Sequence, residues 1–281
     1  MAIVIKIAGF KSDGAETKIY GDALVNEGTL LLHDYSNTGC LRGFDVSNGA
    51  PVADLAALVS KDKLGIDNAS IMNTEGAPSE LTLTPGRGID LEYLRSISSA
   101  SNHRGMDLGT DLPQYLYDNQ PKTLLTYWVR ARLAAGGIVF LTTGEPSFNF
   151  LVGALSPSIF QGRVANGTSG GASIDAEYKL VQYSVEFNQV GSPLRIYVNG
   201  IYSADGGSNA TGFDAGFEKL LIGSRASNPN AVDAFLYRLM IVDLDKSEYT
   251  AAEIVQKDWE YCNGIGEYAG LPTKRPFIDE L

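Results

Sequence analysis

The sequence predicts an all-β protein, an antiparallel β-sandwich with short helices and extended termini. Three observations predict it. Several stretches alternate apolar and polar residues with a period of two, clusters of Gly, Asn, Asp and Ser punctuate them, and an Asn-Gly pair joins two of them as a hairpin turn does. The 281 residues, 44% of them apolar, suit one large sandwich, because single all-β domains run to roughly 200–250 residues. A chain of this length buries about three-quarters of its unfolded surface and needs no disulfide or metal to hold a core.

In chain order, residues 1–27 read as an amino-terminal arm, 28–246 as the sandwich, 247–264 as a capping helix and 265–281 as an extended carboxyl-terminal tail. The first strand is Gly28–Tyr35, closed by Ser36-Asn37-Thr38-Gly39. Between Val52 and Lys63, Leu55, Leu58 and Val59 share one face at helical spacing, which predicts a short helix. Lys122–Leu133 turns to period two, with Leu125, Tyr127, Val129, Ala131 and Leu133 facing one way and Trp128, Arg130 and Arg132 the other. Gly137–Thr142 follows as its expected hairpin partner. Val181, Tyr183, Val185 and Phe187 mark the buried face of a further strand. Leu194–Val198 and Ile201-Tyr202 flank Asn199-Gly200, a turn whose two central positions need positive φ. Lys219–Gly223 and Ala234–Val242 complete a set of about ten strands. Thr250-Ala251-Ala252-Glu253 is a capping box that opens a helix carrying Ile254, Val255, Trp259 and Cys262, and Asn263-Gly264 supplies its left-handed stop. Beyond it, Pro272 and Pro276 stand among Leu271, Phe277 and Ile278. A segment so short forms no core alone, and its apolar content predicts an extended path against a neighbouring molecule.

From Leu180 to Gly264 the order of motifs resembles a known family. Tyr183-Ser184-Val185 is followed by Leu194-Arg195-Ile196-Tyr197-Val198-Asn199-Gly200, Leu221-Ile222-Gly223-Ser224, Phe235 to Ile241, and Tyr249-Thr250-Ala251-Ala252-Glu253-Ile254. Upstream, Thr126-Tyr127-Trp128-Val129-Arg130 extends the likeness to roughly Lys122. This succession is similar to the carboxyl-terminal half of laminin-G-like domains, members of the concanavalin A-like lectin and glucanase superfamily. One departure is Leu236, which stands where a glycine usually follows the phenylalanine. The resemblance implies a jelly-roll sandwich of two antiparallel sheets. Residues 1–100 lie outside the likeness and are expected to supply further strands.

Composition narrows the function. The chain carries 22 Lys and Arg against 33 Asp and Glu, a formal charge of −11, so nucleic acid, which draws on clustered cations, is not an expected partner. No apolar run nears the roughly 20 residues that cross a bilayer, and Met1–Gly9 lacks the basic leader and long apolar stretch of a secretory signal, so no membrane partner is expected. Cys40 and Cys262 form no short-spaced pair and read as buried free thiols of a reducing cytoplasm.

The superfamily includes glycoside hydrolases, whose retaining chemistry needs two carboxylates about 5–5.5 Å apart. Asp175 and Glu177 share a strand face, but Ser173 stands where the further carboxylate would be; Asp90 and Glu92 lack it in the same way, with Gly88 in its place. No catalytic residue and no enzyme activity are expected. His33 and His103 are isolated, so no metal site and no cofactor are expected. Calcium is the one ion left open, through the loop residues Asp205, Asn209, Asp214 and Asp233, whose ordinary role is turn formation. A bound glycan would need an aromatic platform beside polar acceptors, and Tyr197, Asn199 and Tyr202 around the hairpin are the candidate ligand-binding residues.

Free-standing chains of this build resemble laminin-G-like components of tailed-bacteriophage particles. The resemblance implies a non-enzymatic virion structural protein (capsid decoration, neck or collar, or tail component) assembled in the host cytoplasm. Its expected partners are other virion proteins and copies of itself, engaged through Leu271, Phe277 and Ile278. The alternative is a carbohydrate-binding adhesion module that engages surface glycans. A glycoside hydrolase ranks behind both.

Overall fold

A computed structural model describes residues 22–35, 40, 49–53, 55–56, 69–73, 82–84, 88–90, 104–131, 138–143, 150–156, 159–164, 170–173, 180–187, 190–207, 212–213, 220–222 and 234–269. These residues form two antiparallel sheets. In the first, the strand order is β13 (Ile201–Gly206), β12 (Leu194–Val198), β11 (Leu180–Phe187), β6 (Thr123–Ala131), β15 (Ala234–Asp243), β4 (Gly88–Asp90) and β3 (Thr82–Thr84). The short β1 (Thr29–Asp34) pairs with the carboxyl-terminal part of β15, beside β4. In the second sheet the order is β10 (Gly170–Ser173), β9 (Ile159–Val164), β8 (Phe150–Ser156), β7 (Ile138–Thr143), β14 (Leu220–Ile222), β5 (Arg104–Asp107) and β2 (Ser70–Asn73). Helices α1 (Asp111–Asn119) and α2 (Ala251–Asn263) lie among them. The architecture is the all-β antiparallel sandwich that the alternating stripes predict.

Register assigns each residue of the first sheet to a face. Tyr183, Tyr127, Leu239 and His33 form one row across β11, β6, β15 and β1. They are fully or almost fully buried together with Leu125, Val185, Phe187 and Ile196 on the inner face. Burial of each such side chain contributes on the order of 1.5–3 kcal/mol, which makes this stripe a main source of stability.

The outer face departs from simple alternation. Gln182, Ser184 and Glu186 on β11, and Thr126 and Trp128 on β6, are buried as well. The cause is α2, which lies across the sheet and buries Ala251, Ile254, Val255, Asp258, Tyr261 and Cys262. Its start is as expected: Thr250 Oγ1 accepts from the Glu253 amide at 3.3 Å, and the Glu253 carboxylate accepts from the Thr250 amide at 2.8 Å. Its end is Gly264 at φ 63°. Cys40 and Cys262 are buried and not joined in a disulfide, Cys262 on the inward face of this helix.

Two features differ from the sequence-based expectation. Strand β7 is not the hairpin partner of β6, because both edges of β6 are occupied by β11 and β15; β7 pairs instead with β8 and β14 in the other sheet. Helix α1 was not expected. It buries Leu112, Pro113 and Leu116, and it stops without glycine, on Gln120 at φ 46°. The Gln120 side chain fixes that end by donating to the Phe213 carbonyl at 2.6 Å and accepting from its amide at 2.8 Å. Of the helix expected over Val52–Lys63, Leu55 and Ala56 are helical, and residue 54 and residues 57–63 lie outside the described residues.

Candidate functional site

The outer face of the first sheet divides into a covered half and an open half. The covered half centres on Arg238 of β15, which register places in a row with Gln182, Trp128 and Asp34. Its guanidinium makes a two-pronged bond to Asp22, with Nη1 and Nη2 at 2.8 and 3.2 Å from the carboxylate oxygens, and its Nε donates to Asp258 at 2.7 Å. Asp34 completes the cluster at 3.7 Å. Burial alone would disfavour the charge, but Asp22 and Asp258 hold the guanidinium protonated well above its usual range.

Asp258, on α2, is the second hub. It also accepts from Trp128 Nε1 at 2.7 Å and Gln182 Nε2 at 2.8 Å. Trp128 stacks on Trp259 with ring centroids 5.2 Å apart. The Gln182 side chain spans helix and hairpin: its Nε2 donates to the Val255 carbonyl at 3.0 Å, and its Oε1 accepts from the Gly200 amide at 2.7 Å. The donors of this buried set therefore meet acceptors, as low-dielectric surroundings demand.

The hairpin seats against the same helix. Asn199 and Gly200 both have positive φ, at 50° and 83°. A Cβ at Gly200 would meet the Trp259 side chain at 3.0 Å, so glycine is required by space as well as by conformation. Asn199 Oδ1 accepts from the Gln182 amide at 3.0 Å.

Beyond the start of α2, the outer face opens into a shallow depression of about 280 Å³ lined by Arg195, Tyr197, Tyr202, Asp205 and Ala252. Register explains the assembly. Arg195 on β12 stands opposite Glu186 on β11 and opposite Asp205 on β13. Simple alternation would set Tyr202 and Asp205, three residues apart, on opposite faces. Ile196 pairs with Ala204 but Tyr197 with Tyr202, so Ser203 is an extra residue, and this bulge turns Tyr202 onto the face of Asp205. The Tyr197 and Tyr202 rings meet edge to face, 6.0 Å between centroids. Tyr197 is buried and donates its hydroxyl to Glu186 at 2.7 Å. Burial, and then this bond to a carboxylate, push its phenol well up. Tyr202 is 52% exposed. Arg195 reaches Glu186 only at 3.8 Å, beyond hydrogen-bonding distance, and its side chain is more than half exposed.

Among the candidate residues read from the sequence, Tyr197 and Tyr202 thus share one depression, with Tyr202 as its accessible ring. Asn199 belongs to the turn, its side-chain oxygen occupied by Gln182. Sequence reasoning missed Arg195, Glu186 and Asp205 as companions, although alternation alone aligns Arg195 with Tyr197. Asp205 was considered only for calcium; its companions Asn209, Asp214 and Asp233 lie outside the described residues. So do the tail residues Leu271, Phe277 and Ile278, and Glu92, His103, Asp175 and Glu177. Asp90 falls in β4, where only the backbone is described. Among the described residues, no three His, Cys, Asp or Glu side chains gather as a metal site requires, and no helix is long and apolar enough to cross a membrane.

No family model matches the chain, and no curated protein matches it. Solved structures do. The fold is similar to a Trypanosoma rangeli sialidase, with a TM-score of 0.56 at 13% identity over 88% of this chain and 35% of that one. It is also similar to botulinum neurotoxin type C, which depends upon interaction with two ganglioside molecules to enter cells. There the TM-score is 0.53 at 12% identity, over 85% of this chain and 53% of that one. The chain thus spans about a third of the matched sialidase chain and about half of the matched toxin chain. At such identities the likeness is one of fold. The fold they share with this chain is the antiparallel β-sandwich.

Proposed function

We propose that the chain acts by binding rather than catalysis, as a non-enzymatic structural component of a virus particle built on its lectin-like sandwich. The observation that carries this reading is the common anchoring of the two flanking segments on one face. Residue 22, where segment 1–21 joins the described fold, is bonded to Arg238. The Arg238 guanidinium lies 5.8 Å from the centre of the Tyr261 ring, which packs on Tyr268 at 5.2 Å, next to where segment 270–281 begins. The described residues that border both segments, Asp22 and Tyr268, therefore belong to the covered half, which suits docking of that face on a neighbouring subunit. Other virion proteins and copies of this chain are the partners this arrangement favours, with Leu271, Phe277 and Ile278 as contacts. Removal of residues 270–281 is expected to leave a folded protein that no longer incorporates into particles. Unimpaired incorporation of the truncated chain sinks the reading.

A second reading, surface-glycan adhesion, is favoured by the open depression, which sets an exposed aromatic ring beside a guanidinium and a carboxylate. The similar folds include a sialidase in complex with sialic acid and a toxin that interacts with gangliosides. Titration of the chain with glycans, with and without calcium, tests it: binding that Tyr202→Ala abolishes supports adhesion at this face.

A further inference from the structure

We infer that the depression on β12 and β13 selects an uncharged, hydroxyl-rich sugar ring and discriminates against acidic sugars. This inference rests on the adhesion reading and specifies its ligand. The argument is a charge count combined with geometry. Arg195 is flanked across the ladder by Glu186 on one side and Asp205 on the other, one cation between two carboxylates. Glu186 also accepts a hydrogen bond from the Tyr197 hydroxyl at 2.7 Å, and with one cation between two carboxylates the cluster has no net positive charge to offer. The whole chain, at −11, adds to the repulsion of an anionic ligand.

What the cluster does offer is alternation of donors and acceptors. The Arg195 fork keeps N–H groups facing solvent, because its approach to Glu186 is loose at 3.8 Å with the side chain 54% exposed. Asp205 is exposed and accepts only. Neighbouring hydroxyls on a pyranose need such a pair, one accepting from the guanidinium and the next donating to the carboxylate. Tyr202 supplies the flat apolar surface for the C–H face of the ring, and the edge-to-face contact with buried Tyr197 fixes its orientation. The bulge at Ser203 places these groups on one face. A sialic acid carboxylate in the same position would meet the exposed carboxylate of Asp205, and the one cation beside it, Arg195, is already flanked by two carboxylates.

The test is calorimetric titration of the full chain with neutral galactose-, glucose- and N-acetylhexosamine-terminated oligosaccharides and with sialylated versions of the same oligosaccharides. A neutral ligand should bind, its sialylated version at least about tenfold more weakly. Tyr202→Ala should lower the neutral affinity about tenfold, and Asp205→Asn should weaken neutral binding while narrowing the gap to the sialylated ligand. Both side chains are exposed, and unchanged thermal melts will verify that the variants fold. Preference for the sialylated ligand overturns the inference and leaves adhesion standing. Neutral binding that Tyr202→Ala does not alter also overturns it, since the ligand then sits elsewhere. If no oligosaccharide of either kind binds, the adhesion reading falls and the inference with it.

Discussion

The two halves of one sheet face make opposite use of the same kinds of residue. Under α2, Arg238 is buried among Asp22, Asp34 and Asp258, and its bonds to Asp22 and Asp258 are short. A few strands away, Arg195 stands between Glu186 and Asp205, half in solvent and without a close partner at Glu186. The difference is the helix. Where it covers the sheet, each charge must be matched inside the protein, because an unpaired buried ion loses several kcal/mol of hydration. Beyond the helix start, at Ala252, the cover stops, water supplies the matching, and the same groups are left available for another molecule.

The sharpest way to break this comparison is to truncate both arginines. Arg238→Ala leaves carboxylates buried without their cation and should destabilise the fold by about 3–5 kcal/mol in urea unfolding. Arg195→Ala should change stability by less than about 1 kcal/mol. Equal losses would mean that the covered cluster is no more than a surface pair.

Acid probes the inner face as a third region. His33 is fully buried, with Nδ1 against the Tyr35 hydroxyl at 3.0 Å, and burial lowers its pKa to about 3. The folded value lies below the unfolded one, so the unfolded chain binds the extra proton first. Stability from the neutral ring is whole above about pH 6.5 and is lost as pH falls toward 3, by up to about 1.4 kcal/mol per unit. His33→Gln, which keeps a polar partner for Tyr35, should flatten the slope of stability against pH between 6.5 and 4; an unchanged slope assigns acid sensitivity to other groups.

Smaller changes sharpen the boundary between the halves. Gly200→Ala should cost about 1–2 kcal/mol, through a positive φ and the close Trp259 ring, and it should disturb the hairpin that leads to Tyr202. Thr250→Ala removes the cap at the edge of the depression and should lower the melting free energy by about 1 kcal/mol. A loss at Thr250 as large as at Arg238 would show that the helix end, not the ionic cluster, holds the cover in place.

Several elements were legible because their signals are local. The alternation in β6, β11, β12 and β15 identified the strands, Asn199-Gly200 identified the hairpin, and Thr250, Glu253 and Gly264 bounded α2 to within a residue. Strand β1 was found one residue inside its expected limits at each end. The depression was half legible: Tyr197 and Tyr202 were read from the hairpin, but the bulge at Ser203 that aligns Tyr202 with Asp205 has no local mark.

By itself, then, the sequence determined the all-β class, most strands of the first sheet and both ends of the last helix. These depend on φ preferences and on neighbours within about four residues, which a chain carries before it folds. The tertiary structure alone decided that β6 pairs with β15 and not β7, that the polar outer stripe of β11 is buried, and that Arg238 meets Asp22, 216 positions away. Such partners are chosen by the sum of packing over the whole sandwich. The polar side of a strand looks the same in sequence whether water or a helix lies above it.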